Sequence, residues 1–168
     1  MFDTGPLSAF ARVGRLDVLA ARYWGRALWA VEVREEIRRG AVRFPWLDEI
    51  LSAGWLADAV RMTDPADLLE IERLRRALGG RGEQPPRHLG EAATLVLARR
   101  EAATAVLDDR DARRLADALG IPFTGTLGIL RASVGDGVLS RDEAWAIVQA
   151  MTAAGDRLPP IAGPDWFG

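Results

Sequence analysis

Ala103-Thr104-Ala105-Val106-Leu107-Asp108-Asp109-Arg110-Asp111-Ala112-Arg113-Arg114-Leu115-Ala116-Asp117-Ala118-Leu119-Gly120-Ile121-Pro122-Phe123 reads as a strand, an acidic turn, a helix and a second strand. Ala103 to Leu107 is a short apolar run suited to a buried strand. Asp111 to Leu119 has helical spacing and is closed by Gly120, a residue that accepts the left-handed conformation after a helix. Ile121-Pro122-Phe123 returns as a short strand. Strands alternating with helices in this way predict an α/β domain with a mostly parallel sheet. Such sheets collect ligands beyond the carboxyl ends of their strands, where the Asp108–Asp111 turn falls.

The same alternation extends outward from this unit. Upstream, Ala27 to Val31 reads as a buried strand, with helix as the alternative for so short a run. Val33 to Arg39 is a helix closed by Gly40, Pro45 to Ala53 a short helix, and Trp55 to Met62 a partly alternating strand. Asp64-Pro65 opens a helix that runs to about Leu78, with Asp as cap and Pro in the first turn. Gly79 to Arg87, with three Gly and two Pro, is the clearest loop in the chain. Glu91 to Arg100 is a helix with Ala92, Leu95, Val96 and Ala98 at core spacing. At the start, Asp3 follows only two residues, so its strand is either very short or begins upstream. Helices follow at Leu7 to Val13 and Leu16 to Arg22. Downstream, Thr126 to Val134 and Arg141 to Ala153 are helices, and Ile161 to Gly168 is expected as a loose tail with an aromatic end.

Composition bounds the chemistry. The chain has 168 residues, 49% of them hydrophobic, with six Trp, which suits one globular domain with a sizeable core. It has no Cys, which excludes disulfides, thiolate metal sites and Cys nucleophiles. The one histidine, His88, excludes a multi-His zinc site. No run of about 18 apolar residues predicts a membrane span, and the absence of a secretion signal leaves a cytoplasmic location as the expectation. The net charge of −2 argues against a broadly basic surface but not against a local basic patch. All 22 basic residues are Arg, which fits a GC-rich coding sequence and still offers planar forks for phosphate.

Four separated acids stand beside strand ends or on helices: Asp3, Glu36, Glu91 and Asp109. Carboxylates drawn to one sheet edge repel each other and are costly to desolvate unless a cation joins them. Hard oxygen donors of this kind suit Mg²⁺ or Mn²⁺. Each acid also has an ordinary reading. Asp3 can cap the helix that follows it. Glu36 can be a solvated helix acid, with Glu32 and Glu35 as rivals. Glu91 can be a first-turn acid favoured by the helix dipole, and Asp109 a turn or cap residue. Gly125-Thr126-Leu127-Gly128 lacks the Lys and spacing of a nucleotide-binding P-loop. Gly5 stands where an aspartate-nucleophile phosphatase needs its second Asp.

In this order, the motifs resemble the PIN-domain family of Mg²⁺/Mn²⁺-dependent ribonucleases, and within it the bacterial and archaeal branch of VapC-like toxins and related nucleic-acid-binding proteins. The resemblance rests on Asp3-Thr4-Gly5-Pro6-Leu7, on Val33 to Ile37 with Glu36, on Gly90-Glu91-Ala92, on Leu107 to Asp111, and on Thr124 to Leu130. It implies a three-layer α/β/α sandwich over residues 1–158 with a tail at 159–168. It implies catalysis by Asp3, Glu36, Glu91 and Asp109, with Asp3, Glu91 and Asp109 on one or two ions. Thr4, Asp108, Asp111 and Thr126 would support them, and Arg110, Arg113 and Arg114 would meet RNA phosphates. Water-driven in-line cleavage leaving a 5′-phosphate follows, as do a homodimer and a cognate antitoxin. A non-catalytic module that binds RNA or a protein is the alternative. The resemblance departs at the short first strand and at Glu91, where many members carry Asp. His88, in a polar loop, reads as a surface residue rather than a catalytic base.

Overall fold

A chain of only three residues forms the middle of the sheet. In the computed structural model, which describes residues 1–82 and 86–168, Phe2 bridges Trp29 on one side and Val106 on the other, both in parallel. Phe2 N–H donates to Leu28 O (2.9 Å), Val106 N–H to Met1 O (2.7 Å), and Asp3 N–H to Val106 O (3.1 Å). With Phe2 itself only 1% exposed, two ladders and a buried ring hold a strand that its length alone would leave marginal.

The parallel order across the sheet is 56–60, 27–30, 1–3, β1 (Ala105–Val106) and β2 (Phe123–Thr124). The chain therefore builds outward from its first segment in one direction and later returns to build outward in the other. Residues 1–3 and β1 flank the point where the order reverses. In open α/β sheets that point is where a ligand crevice forms.

The strands expected at 27–31 and 55–62 are single bridges rather than continuous strands. Ala27 pairs with Leu56 and Ala30 with Val60, so one side advances four residues while the other advances three. The extra residue is a bulge, which interrupts the ladder. Val31 then starts α3 (Val31–Ala41) at once. The α/β class expected from the sequence is present, with a small parallel sheet and far more helix.

Helices α1 (Thr4–Arg12), α2 (Leu16–Tyr23), α4 (Asp48–Leu51), α5 (Pro65–Ala77), α6 (Leu89–Arg100), α7 (Arg110–Ala118), α8 (Thr126–Gly135) and α9 (Arg141–Ala153) complete the fold. Local signals set several ends. The Asp64 carboxylate accepts from Ala66 N–H (2.8 Å) to start α5. Ser140 and Glu143 form a reciprocal capping box on α9. Gly120, at φ 66°, follows α7. Gly40 does not close α3 as its position suggested; it lies inside the helix. A Cβ there would sit 2.8 Å from Leu47 Cδ1, so Gly40 lets the 3-10 turn Pro45–Leu47 press onto the helix.

Helix α6 is buried from Ala92 to Ala98 and packs against α3 and α5. Phe10, Leu19, Ile37, Leu95, Leu97, Leu107, Ile129, Leu130 and Met151 fill the core, each contributing about 1.5–3 kcal/mol by burial. The carboxyl end of the chain is not a loose tail. Its 3-10 turn Pro164–Phe167 packs on α8 and α9, and Phe167 is 3% exposed. The loop expected at 79–87 includes 83–85, which lie outside the described residues. Among the described residues no helix is long and apolar enough to cross a membrane.

Candidate active site

The bond from Asp3 N–H to Val106 O carries Asp3 to the carboxyl edge of the sheet, and α1 starts at the next residue. Asp3 thus occupies the cap position of α1 with extended backbone, yet its side chain makes no capping hydrogen bond. The residue is 5% exposed and its Oδ1 is buried without a partner. Burial is the largest influence raising its pKa well above the ordinary aspartate range. Glu91 and then Glu36 push the same way, while the N–H groups of Thr4 and Gly5 pull it down. A carboxylate with a free, desolvated oxygen beside two others fits a cation far better than it fits a cap.

Helix α3 delivers Glu36. Val33 and Ile37 are fully buried, which turns the neighbouring stripe of the helix toward α6. Thr4 Oγ1 donates to Glu36 Oε2 (2.9 Å). One side of Glu36 is open to solvent, but desolvation of its carboxylate still raises its pKa; Thr4 opposes this and Glu91 adds to it. The rival Glu35 turns outward to pair with Arg38 and Arg34. Close approach of α6 depends on Gly90: a Cβ there would stand 2.7 Å from Glu36 Oε2 and 3.4 Å from Asp3 Oδ1. Gly90→Ala is therefore expected to displace Glu36 from Thr4. Calorimetric Mn²⁺ affinity should fall about tenfold, while the melting temperature holds or rises because Ala is the better helix residue.

Glu91, in the first turn of α6, faces the same pocket, and its Oε1 lies 3.3 Å from His88 Nδ1. His88 is not simply a surface side chain. It is half-buried, sits at φ 58°, and forms the lead-in to α6. Polar loop composition hid that placement.

The acidic turn after β1 divides its work. Asp108 is a clasp: it accepts from Thr126 N–H (2.9 Å), Thr126 Oγ1 (2.5 Å) and Arg113 Nη2 (3.0 Å). Arg113 also donates to Leu107 O (2.7 Å). Asp109 caps α7 through Oδ1, which accepts from Asp111 and Ala112 N–H, and its side chain also lines the pocket. Asp111 points away and pairs with Arg114. Of the three arginines expected to meet phosphate, Arg113 is held in the clasp and Arg114 is paired to Asp111. Arg110 is exposed with no ion pair among the described residues.

Asp3, Thr4, Glu36, Glu91 and Asp109 together line one cavity of about 310 Å³. Thr126, Asp108 and Asp111 are not part of it. Ser8, Arg12 and Asp156 are, and sequence reading missed all three. Asp156 follows α9 and pairs with Arg12 (2.9 Å). Its Oδ2 is buried without a partner, and burial raises its pKa against the pull of Arg12. No local pattern marks an acid beyond the last long helix as a neighbour of residue 3.

The donors are carboxylate oxygens, two of them buried and unpartnered, and they suit a hard divalent ion. Among the described residues, no three His, Cys, Asp or Glu side chains are already gathered to hold a metal. The donor chemistry fits a hard divalent ion, while the side chains are not gathered around one point.

A family model described as a PIN domain matches residues 1–162. No curated protein and no solved structure matches the chain.

Proposed function

Because the chain belongs to the PIN-domain family, whose members are generally nucleases, we propose that its acidic pocket makes it a divalent-metal-dependent endoribonuclease. The observation that carries this reading is Asp3: a buried carboxylate with one orphaned oxygen and two further acids raising its pKa. Asp3, Glu91 and Asp109 would hold Mg²⁺ or Mn²⁺. An ion held there supplies Lewis-acid charge for phosphodiester hydrolysis and acidifies water. Thr4 keeps Glu36 aimed at the pocket, Gly90 admits both carboxylates, and Asp109 is fixed by the amides it caps. The toxin half of a toxin–antitoxin pair, a cytoplasmic homodimer and a three-layer sandwich belong to the same reading. The ordered motifs support the first two, and the parallel ladder with helices packed on it supports the third.

The test is cleavage of total RNA with Mn²⁺ or Mg²⁺. The wild type should cut, EDTA should stop it, and Asp3→Asn should lower the rate about 100-fold or more. Undiminished cutting by Asp3→Asn sinks the proposal. A second reading, a module that binds RNA or a protein without cutting, is favoured by the acids standing apart. It expects no Mn²⁺ heat from a folded wild type.

A further inference from the structure

Along α3, Glu32, Glu36, Arg39 and Arg43 fall at steps of four, three and four residues. That spacing lays them on one stripe that continues just past the helix end. Across from the stripe stand residues 86–91, the lead-in and first turn of α6. The two walls enclose a second cavity of about 490 Å³ that also holds Phe44, Arg87 and His88. Glu36 and Glu91 line this cavity and the acidic pocket alike, so the two share a wall.

Three arginines and three carboxylates, Glu32, Glu36 and Glu91, line this groove. Many of the protein's arginines are bound to carboxylates along their own helices, as Arg73 is to Glu70 and Arg76 to Glu72. Arg39, Arg43 and Arg87 are exposed and form no ion pair among the described residues. The Arg43 guanidinium instead lies over the Phe44 ring, 5.3 Å from its centroid. Phe44 is 37% exposed and leans on Trp46 with ring centroids 5.0 Å apart. Trp46 in turn carries Arg12, a wall of the acidic pocket, 5.7 Å from its ring. Ring contacts thus link Phe44, in the wall of the groove, through Trp46 to Arg12, in the wall of the acidic pocket.

We propose that this groove is the binding track for a single strand of RNA. Arg39, Arg43 and Arg87 would hold successive phosphates, and the Arg43–Phe44 plane would stack one base beside the acidic pocket. A polynucleotide single strand alternates anionic phosphates with flat bases, and the groove alternates guanidiniums with a planar stack. An acidic peptide offers the charge without the planes. The substrate class rests on the nuclease reading above, but the track is separable from it.

The experiment measures binding of a short, fluorescently labelled single-stranded RNA by anisotropy. EDTA prevents cleavage, and the full chain is used both as wild type and as Asp3→Asn. Phe44→Ala should weaken binding roughly 5- to 100-fold, and Phe44→Trp should restore it. Arg43→Lys should keep the salt dependence but lose affinity, because it keeps the charge and loses the plane. Arg39→Ala and Arg87→Ala should each flatten the slope of log affinity against log salt by about 0.7. Arg131→Ala, which removes the cation over Trp166 at a different surface, should change nothing. Binding that Phe44→Ala and the arginine substitutions leave unaltered overturns the track, even if Mn²⁺-dependent cutting is observed. Groove-dependent RNA binding by a protein that takes up no Mn²⁺ upholds the track and removes the nuclease reading.

Discussion

Asp3→Asn is expected to raise the melting temperature of the metal-free protein and to abolish the thermal shift that Mn²⁺ gives the wild type. Both effects have one cause. Asp3 is buried with an unpartnered oxygen and with Glu91 and Glu36 pushing its pKa up, so its negative charge is a cost to the empty fold. Asn has nearly the same shape and no charge. Relief of such functional strain typically stabilises by about 0.5–2 kcal/mol. In a chain of this size that is roughly 1–8 °C. An ion at 100 times its dissociation constant stabilises by about 2.7 kcal/mol, hence roughly 6–10 °C for the wild type and nothing for the variant. Scanning calorimetry with and without Mn²⁺ reads both. A variant less stable than the wild type without metal would contradict the account of Asp3.

The pH dependence has a definite sign. The folded-state pKa of Asp3 lies above its unfolded value. Its contribution is therefore fully present below the unfolded pKa and is lost as pH rises through the folded one. At low pH the wild type and Asp3→Asn should melt alike. The gap should open as pH rises past the ordinary aspartate value of about 4 and level off above the raised pKa. Mn²⁺ must displace the same proton, so its affinity should increase with pH over that interval.

Much of this was legible before any coordinates, and the reason differs by residue. Asp64-Pro65 is a local device, complete within two residues, and it sets the start of α5 where expected. Glu36 was separable from Glu35 because Val33 and Ile37 mark the buried face of a 3.6-residue period. The rest depends on contacts distant in sequence. The bulge between 27–30 and 56–60 has no sequence mark, so two bridged segments read as strands. Asp156 reaches the pocket only because α9 returns over α1 and Arg12 meets it. Arg113 looked free because its partners, Asp108 and Leu107 O, lie behind it on the preceding strand end. The Arg39–Arg43 stripe has no local mark, because half of its groove comes from residues 86–91, more than forty positions away.

Asp108→Ala should destabilise the protein strongly while leaving its Mn²⁺ response intact, and Asp109→Asn should do the reverse. The two acids are adjacent in sequence, but their carboxylates face different neighbours. Asp108 satisfies the N–H and hydroxyl of Thr126, which is 0% exposed, and anchors Arg113. Removing it leaves buried donors unpaired at about 1–3 kcal/mol each, so a loss near 3 kcal/mol and roughly 6–12 °C is expected. Its carboxylate is outside the acidic pocket, so added Mn²⁺ should still raise the melting temperature by the wild-type increment. Asp109 lines the pocket while capping α7. Asn caps a helix as well as Asp does, so Asp109→Asn should melt within about 1 kcal/mol of the wild type. What it removes is charge at the pocket, and the Mn²⁺ shift should shrink or vanish. The decisive observable is the ratio of the two effects in each variant. If Asp108→Ala stays folded and loses the Mn²⁺ shift while Asp109→Asn keeps it, the metal-facing acid of this turn is Asp108, and the clasp to Thr126 must open when the ion binds.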